Sequence, residues 1–247
     1  MFTKKFYFAL LSFVLVLSAI VSVSAQNGNS KNKNSHNSKN TEITEPMNLA
    51  ILIQDDLISR VGNELNVTKE FIRSLPDGSQ VMVGYITSNS LQVRQKFTTD
   101  MEAAAKSLRV NVGHESASSY DPFNQVLEAL KYFDKESKNQ NAILLISDGL
   151  DISEGLDSIS ILTSTDLERS IKRANEKNVT VYSFYAPSVG LSSRDRNLAS
   201  LGQSALVKLS DKTGGKAFFQ GTTSFVTFDS YFERLRKEII QRNERIS

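Results

Sequence analysis

The sequence has no cysteine and only two histidines, His36 and His114, among its 247 residues. Without a thiol there is no disulfide framework, no thiolate zinc site, no iron–sulfur cluster and no cysteine nucleophile. Two histidines leave a multi-histidine metal site or a histidine-based triad almost nothing to be built from. An excess of either charge is also missing. Lys+Arg total 29 against Asp+Glu 27, and Lys4 and Lys5 are the only charged residues before Gln26, so the rest of the chain is balanced. That balance argues against the basic footprint of a nucleic-acid binder. No Gly-x-Gly-x-x-Gly follows any apolar run, which removes the usual dinucleotide fingerprint. Gly214-Gly215-Lys216 lacks the leading glycine and the following helix of a phosphate loop, and reads as a helix C-cap.

The N-terminus carries an address. Lys4 and Lys5 precede an apolar run from Phe6 to Val23, and Val23-Ser24-Ala25 supplies small residues for cleavage before Gln26. Residues 1–25 are expected to be a signal peptide. At 18 residues the run from Phe6 to Val23 is also just long enough to span a bilayer uncleaved. Either way the body is exported, to the periplasm or outside the cell. Residues 26–45 are almost wholly Asn, Ser, Lys, Gly and Thr, too poor in apolar surface to offset the entropy of ordering, and read as a tether. His36 falls within it, and His114 sits in a loop beside Glu115 with no triad partner. From residue 46 to 247 the composition is globular without a second break, which predicts one domain.

Within that body, apolar and β-branched runs alternate with helical patterns. Leu49–Ile53, Val81–Ile86, Ala142–Ile146, Val179–Tyr185 and a weaker Lys216–Phe219 read as strands. Gln92–Phe97 is expected to pair antiparallel with the second of these through Ser88-Asn89-Ser90. Leu57, Val61, Leu65, Thr68, Ile72 and Leu75 recur at helical steps up to Pro76-Asp77-Gly78. Asp121 reads as an N-cap with Pro122 at the first helical position. Leu167, Ile171 and Ala174 mark another helix, Ser204 is expected to open a short one, and Ser230…Glu233 has capping-box spacing for the last. The alternation predicts a doubly wound, Rossmann-like α/β domain with a mostly parallel sheet and one antiparallel edge strand. In such a fold ligands bind beyond the carboxyl ends of strands. Here two buried strands end in aspartates, in Gln54-Asp55-Asp56-Leu57-Ile58-Ser59 and Ser147-Asp148-Gly149. These residues read either as ligands for a hard cation such as Mg²⁺ or as helix caps and a tight turn.

The segments ILIQDDLIS, GSQVMVGYI, KFTTD, ILLISDGLD, VTVYSFY and ALVKLSDKTGGKAFF follow one another in order from Asn48 to Ile240. Together they resemble a von Willebrand factor type A (VWFA) domain, in particular the bacterial exported VWFA-related proteins of acidobacterial type. The resemblance implies a metal-ion-dependent adhesion site, made of Asp-x-Ser-x-Ser after the first strand, a Thr in a later loop and an Asp after the central strand. On that pattern Asp55 matches the first Asp, Ser59 the second Ser and Asp148 the last Asp. Leu57 stands where the first Ser belongs and offers no oxygen, and Tyr120 falls at the Thr position. The implied site is degenerate, with weak binding of Mg²⁺ or another divalent cation or none. The function expected is an exported, non-catalytic protein-binding module. It would recognise an envelope or extracellular protein at the top of the sheet, with no nucleic-acid partner and membrane contact only if residues 6–23 stay uncleaved. The competing function is a metal-assisted exported hydrolase using Asp55 and Asp148, for which no general base is evident.

Overall fold

In a computed structural model the described residues are 42–57, 63–88, 90–110, 120–134, 136–151, 158–188, 196–221 and 227–246. The chain divides into two units, Met1–Ser38 and Lys39–Ser247, and the first lies outside the described residues. The strands are β1 (Met47–Gln54), β2 (Gln80–Ile86), β3 (Leu91–Thr98), β4 (Gln140–Ser147), β5 (Val179–Tyr185) and β6 (Ala217–Phe218). The helices are α1 (Asn63–Arg73), α2 (Met101–Ser107), α3 (Pro122–Leu130), α4 (Ser158–Leu162), α5 (Thr165–Glu176), α6 (Arg196–Lys212) and α7 (Phe228–Ile246).

The strands form one sheet in the order β3-β2-β1-β4-β5-β6. Every neighbouring pair is parallel except β2 with β3, which is antiparallel as the sequence predicted. The continuous apolar runs of β1 and β4 follow from burial on both faces. Period-two alternation divides them between two cores. Leu49, Ile51, Val83, Leu144 and Phe184 meet Phe71 and Ile72 of α1, Ala104 and Ala105 of α2, and Tyr231, Phe232 and Leu235 of α7. On the opposite face Ala50, Leu52, Ile143, Leu145 and Val181 meet Phe123 and Val126 of α3, Leu167 of α5, and Leu206 and Leu209 of α6. Phe184 is the hub of the first core, with ring centroids of Phe232, Tyr231, Phe218 and Phe228 at 5.0, 5.1, 5.7 and 5.8 Å.

Several expectations are corrected. Leu57 does not start a helix: it is buried beyond β1, and its backbone forms an isolated antiparallel bridge with Ser188. The sequence periodicity ran through Leu57 because its side chain is needed in the core, which is a tertiary demand and not a helical one. Helix α6 starts at Arg196, two turns before Ser204, so much of the expected loop 187–203 is helical. Helix α7 starts at Phe228, which puts Ser230 inside it and not at its cap. Helices α2 and α4 were not foreseen; α2 has an Asp100 N-cap accepting from the Ala103 N–H, but only two alanines buried inside it. Ile43, which composition assigned to the tether, is 4% exposed in the first core. Among the described residues no helix is long and apolar enough to cross a membrane, and residues 6–23 lie outside them.

Candidate functional site

Strand order reverses between β1 and β4, since β2 and β3 extend one way and β5 and β6 the other. The crevice beyond the carboxyl ends at such a point is the expected ligand position of an open α/β sheet. One buried side chain ties the two strand ends together there. Gln54 Oε1 accepts from Ser147 Oγ at 2.6 Å and from the Asp148 N–H at 3.4 Å, while Gln54 Nε2 donates to Asp56 Oδ1 at 2.8 Å. A polar residue at the end of an apolar run is tolerable in the core only when hydrogen-bonded in this way.

Asp55 is held by its backbone and by its carboxylate. Its N–H donates to Ile86 O at 3.0 Å, which fixes it against β2. Arg109 Nη1 donates to Asp55 Oδ1 at 2.7 Å and Arg109 Nη2 to Oδ2 at 2.8 Å, a two-pronged clasp in which geometry and charge reinforce each other. Arg109 is itself positioned by Tyr85, whose hydroxyl donates to Arg109 O at 2.7 Å and accepts from Arg109 N–H at 2.8 Å. The guanidinium carbon also lies 4.1 Å from the Tyr85 ring centroid, a cation–π contact.

The neighbouring acids feel one another. Asp56 is pushed up to about 7, chiefly by burial and then by the charge of Asp148, against the lowering hydrogen bond from Gln54. Asp148 is 4% exposed, and burial raises it as well, although the Leu150 N–H donates to its Oδ1 at 3.0 Å and Ser188 adds a side-chain hydrogen bond. The Tyr120 phenol is pushed up to about 12, by burial first and then by Asp56, Asp55 and Asp148. Next to it Asp121 caps α3, accepting from the Asn124 N–H at 2.9 Å, and is pushed up to about 6 by burial and then by the charges of Asp151 and Asp166.

Asp55, Tyr120 and Asp148 therefore lie near enough to act on one another at these strand ends, whereas Ser59 lies outside the described residues. Among the described residues the donors do not fit a hard cation that takes several oxygens in near-octahedral array. Both Asp55 oxygens accept from a guanidinium, the Leu57 side chain is pure hydrocarbon buried in the core, and Asp56 accepts from an amide N–H. Among the described residues no three carboxylate or imidazole groups are arranged to hold a metal ion.

The loop after β4 is pressed onto α6. Gly149 has φ +71, and a Cβ there would collide with the Gly202 carbonyl; a Cβ on Gly202 would collide with the Asp148 carbonyl oxygen. Two glycines back to back thus set the height of Asp148 above the sheet. Sequence reasoning missed Gln54, Arg109 and Gly202. Gln54 was signalled by its polarity at the end of an apolar run, and Gly202 by being a glycine within an otherwise helical stretch. Nothing in sequence spacing links Arg109 to Asp55, 54 residues away.

No family model matches the sequence, and neither does any curated protein. Solved structures do match. The conserved hypothetical protein BatB from Bacteroides thetaiotaomicron superposes with a TM-score of 0.56 at 11% identity, covering 80% of this chain and 99% of that one. An aerotolerance-related membrane protein from Bacteroides fragilis gives 0.52 at 13% identity, covering 79% and 99%. A von Willebrand factor type A protein from Catenulispora acidiphila gives 0.53 at 16% identity, covering 79% of this chain and 43% of that chain. The mostly parallel sheet with its antiparallel edge agrees with these likenesses, and the body of this chain has a von Willebrand factor type A-like fold.

Proposed function

We propose that the protein is an exported, non-catalytic interaction module that recognises a protein partner at the carboxyl ends of its strands without needing a metal ion. The observation that carries the reading is the Arg109–Asp55 clasp. A fixed guanidinium supplies at Asp55 the positive charge that a cation supplies in an adhesion site of this fold. It engages both carboxylate oxygens of Asp55, which argues against Asp55 as a metal ligand. The hydrolase alternative is correspondingly weakened, since it needs Asp55 and a cation to activate water. Export is supported by the order of Lys4-Lys5, apolar run and Val23-Ser24-Ala25, and an envelope location by the likeness to an aerotolerance-related membrane protein.

The test is crosslinked capture from the envelope fraction of the source organism, run in parallel with Mg²⁺ and with chelator, using wild type and Tyr120→Ala. The expected result is a partner recovered equally in both conditions and reduced in the variant. Capture that disappears in chelator would overturn metal independence. Turnover of phosphoesters that is lost in Asp148→Ala would establish the hydrolase instead.

A further inference from the structure

The two edges of the sheet differ. On one side β6 is only two residues long, and the N–H groups of β5 are met by the segment leading into it: Val181 N–H donates to Thr213 Oγ1 and Ser183 N–H to Lys216 O, each at 3.1 Å. On the other side β3 runs for eight residues, and among the described residues no strand pairs with its outer edge. An edge of that length presents a row of backbone donors and acceptors on which another chain can build.

Side chains alternate along β3. Leu91, Val93 and Phe97 are half-buried against the second core, with the Phe97 ring edge-on to Phe133 at a centroid distance of 5.0 Å. Between them Gln92, Arg94 and Lys96 are exposed. Among the described residues neither Arg94 nor Lys96 has an ion-pair partner. The acids that follow them in the chain are engaged elsewhere. Asp100 accepts from the Ala103 N–H at 2.9 Å, and Glu102 is held by Arg73 at 2.8 and 3.0 Å.

These charges select the occupant. A second copy of the chain would lay Arg94 and Lys96 against its own cations, and like charges facing one another across a strand pair are destabilising. The chain's own residues 26–41 carry Lys31, Lys33 and Lys39 and no acid, so the same repulsion acts on them. Pairing of β3 with β2 also slips between Val81 and Val83 and between Val83 and Gly84, whereas Leu91, Gln92 and Val93 pair without a slip. Edge cations and bulges keep copies of one chain apart. An acidic strand is attracted by the same cations.

We propose that β3 is a docking edge for an extended, acidic segment of another protein. Its backbone pairs along Leu91–Val93, ahead of Lys96 O, which already accepts from Gln95 Nε2 at 3.0 Å. Beyond that stretch its acids, in alternate positions, lie over Arg94 and Lys96, and its apolar side chains extend the rim of Leu91, Val93 and Phe97. Main-chain bonds give affinity and the alternation gives selectivity. This edge is separate from the strand ends, and the proposal does not depend on recognition there.

The test uses the full chain and two synthetic peptides, one alternating glutamate with valine and one alternating lysine with valine. Binding is read by fluorescence anisotropy and its position by amide hydrogen exchange. The glutamate peptide is expected to bind and to slow exchange along β3. Arg94→Glu combined with Lys96→Glu should weaken it about tenfold and gain the lysine peptide, a gain that also shows the variant to be folded. The milder Arg94→Gln with Lys96→Gln should weaken the glutamate peptide without that gain. No binding of the glutamate peptide, equal binding of both peptides to wild type, a charge-reversed variant that does not gain the lysine peptide, or slowed exchange away from β3 overturns the proposal. A dimer in sedimentation that shields β3 from exchange assigns the edge to a second copy and overturns it as well.

Discussion

Arg109 and Asp55 differ from the many ion pairs on the helices because both are partly withdrawn from water, at 25% and 12% side-chain exposure. Exposed pairs contribute little and broken buried pairs cost several kcal/mol. Arg109→Met should therefore cost about 1–3 kcal/mol in urea unfolding, and adding Asp55→Leu should recover part of the loss. Unchanged stability in the single variant would show that the clasp does not bear on folding. Asp56 sets a second residue-scale expectation. Its native pKa of about 7 lies above the ordinary 3.8, so between those values the folded state keeps a proton that the unfolded chain has released. Stability contributed by Asp56 is present at low pH, falls as pH rises toward 7, and is level above it. Asp121 acts in the same sense up to about 6. Melting curves between pH 5 and 7.5 should show Tm falling more steeply in wild type than in Asp56→Asn; parallel curves would contradict the assignment. Gly202→Ala should lower Tm as well, because the new methyl meets the Asp148 carbonyl inside a packed helix–loop contact; overpacking of this kind costs about 1–3 kcal/mol. A wild-type Tm would mean the loop after β4 shifts freely.

Strands were more legible than helices, for a physical reason. A buried strand needs an apolar run whatever surrounds it, so Leu49–Ile53, Ala142–Ile146 and Val179–Tyr185 each fell within or on the observed strand. Helix ends depend on caps and on what they meet. Asp121-Pro122 was a local signal and gave the start of α3, whereas the two extra turns of α6 exist because Ala199 and Gly202 pack onto the sheet and the loop after β4. β4 also supplies the element-scale test. Leu144 and Leu145 are both 0% exposed and face opposite cores, so Leu144→Asp and Leu145→Asp each place a carboxylate in apolar surroundings without a partner. Each should cost several kcal/mol and leave little soluble protein. Normal expression and unfolding of both would contradict a β4 buried on its two faces.

At the scale of the whole molecule, the alternation of elements and the ordered motifs were enough to reach the doubly wound fold and its antiparallel edge. The site was only half legible. Asp55 and Asp148 stand out in the sequence because strand ends are where this architecture binds ligands, but the guanidinium that clasps Asp55 comes from another part of the chain. Tertiary proximity of that kind leaves no period and no spacing in a sequence. The central claim is that Arg109 takes the role of a cation at these strand ends and that the fold has no need of a metal. Its most direct test is a pair of melting curves, one in millimolar Mg²⁺, Mn²⁺ or Ca²⁺ and one in chelator. A cation at a hundredfold excess over its dissociation constant would stabilise the native state by about 2.7 kcal/mol. The account predicts coincident curves; an upward shift that disappears in Asp148→Ala would contradict it.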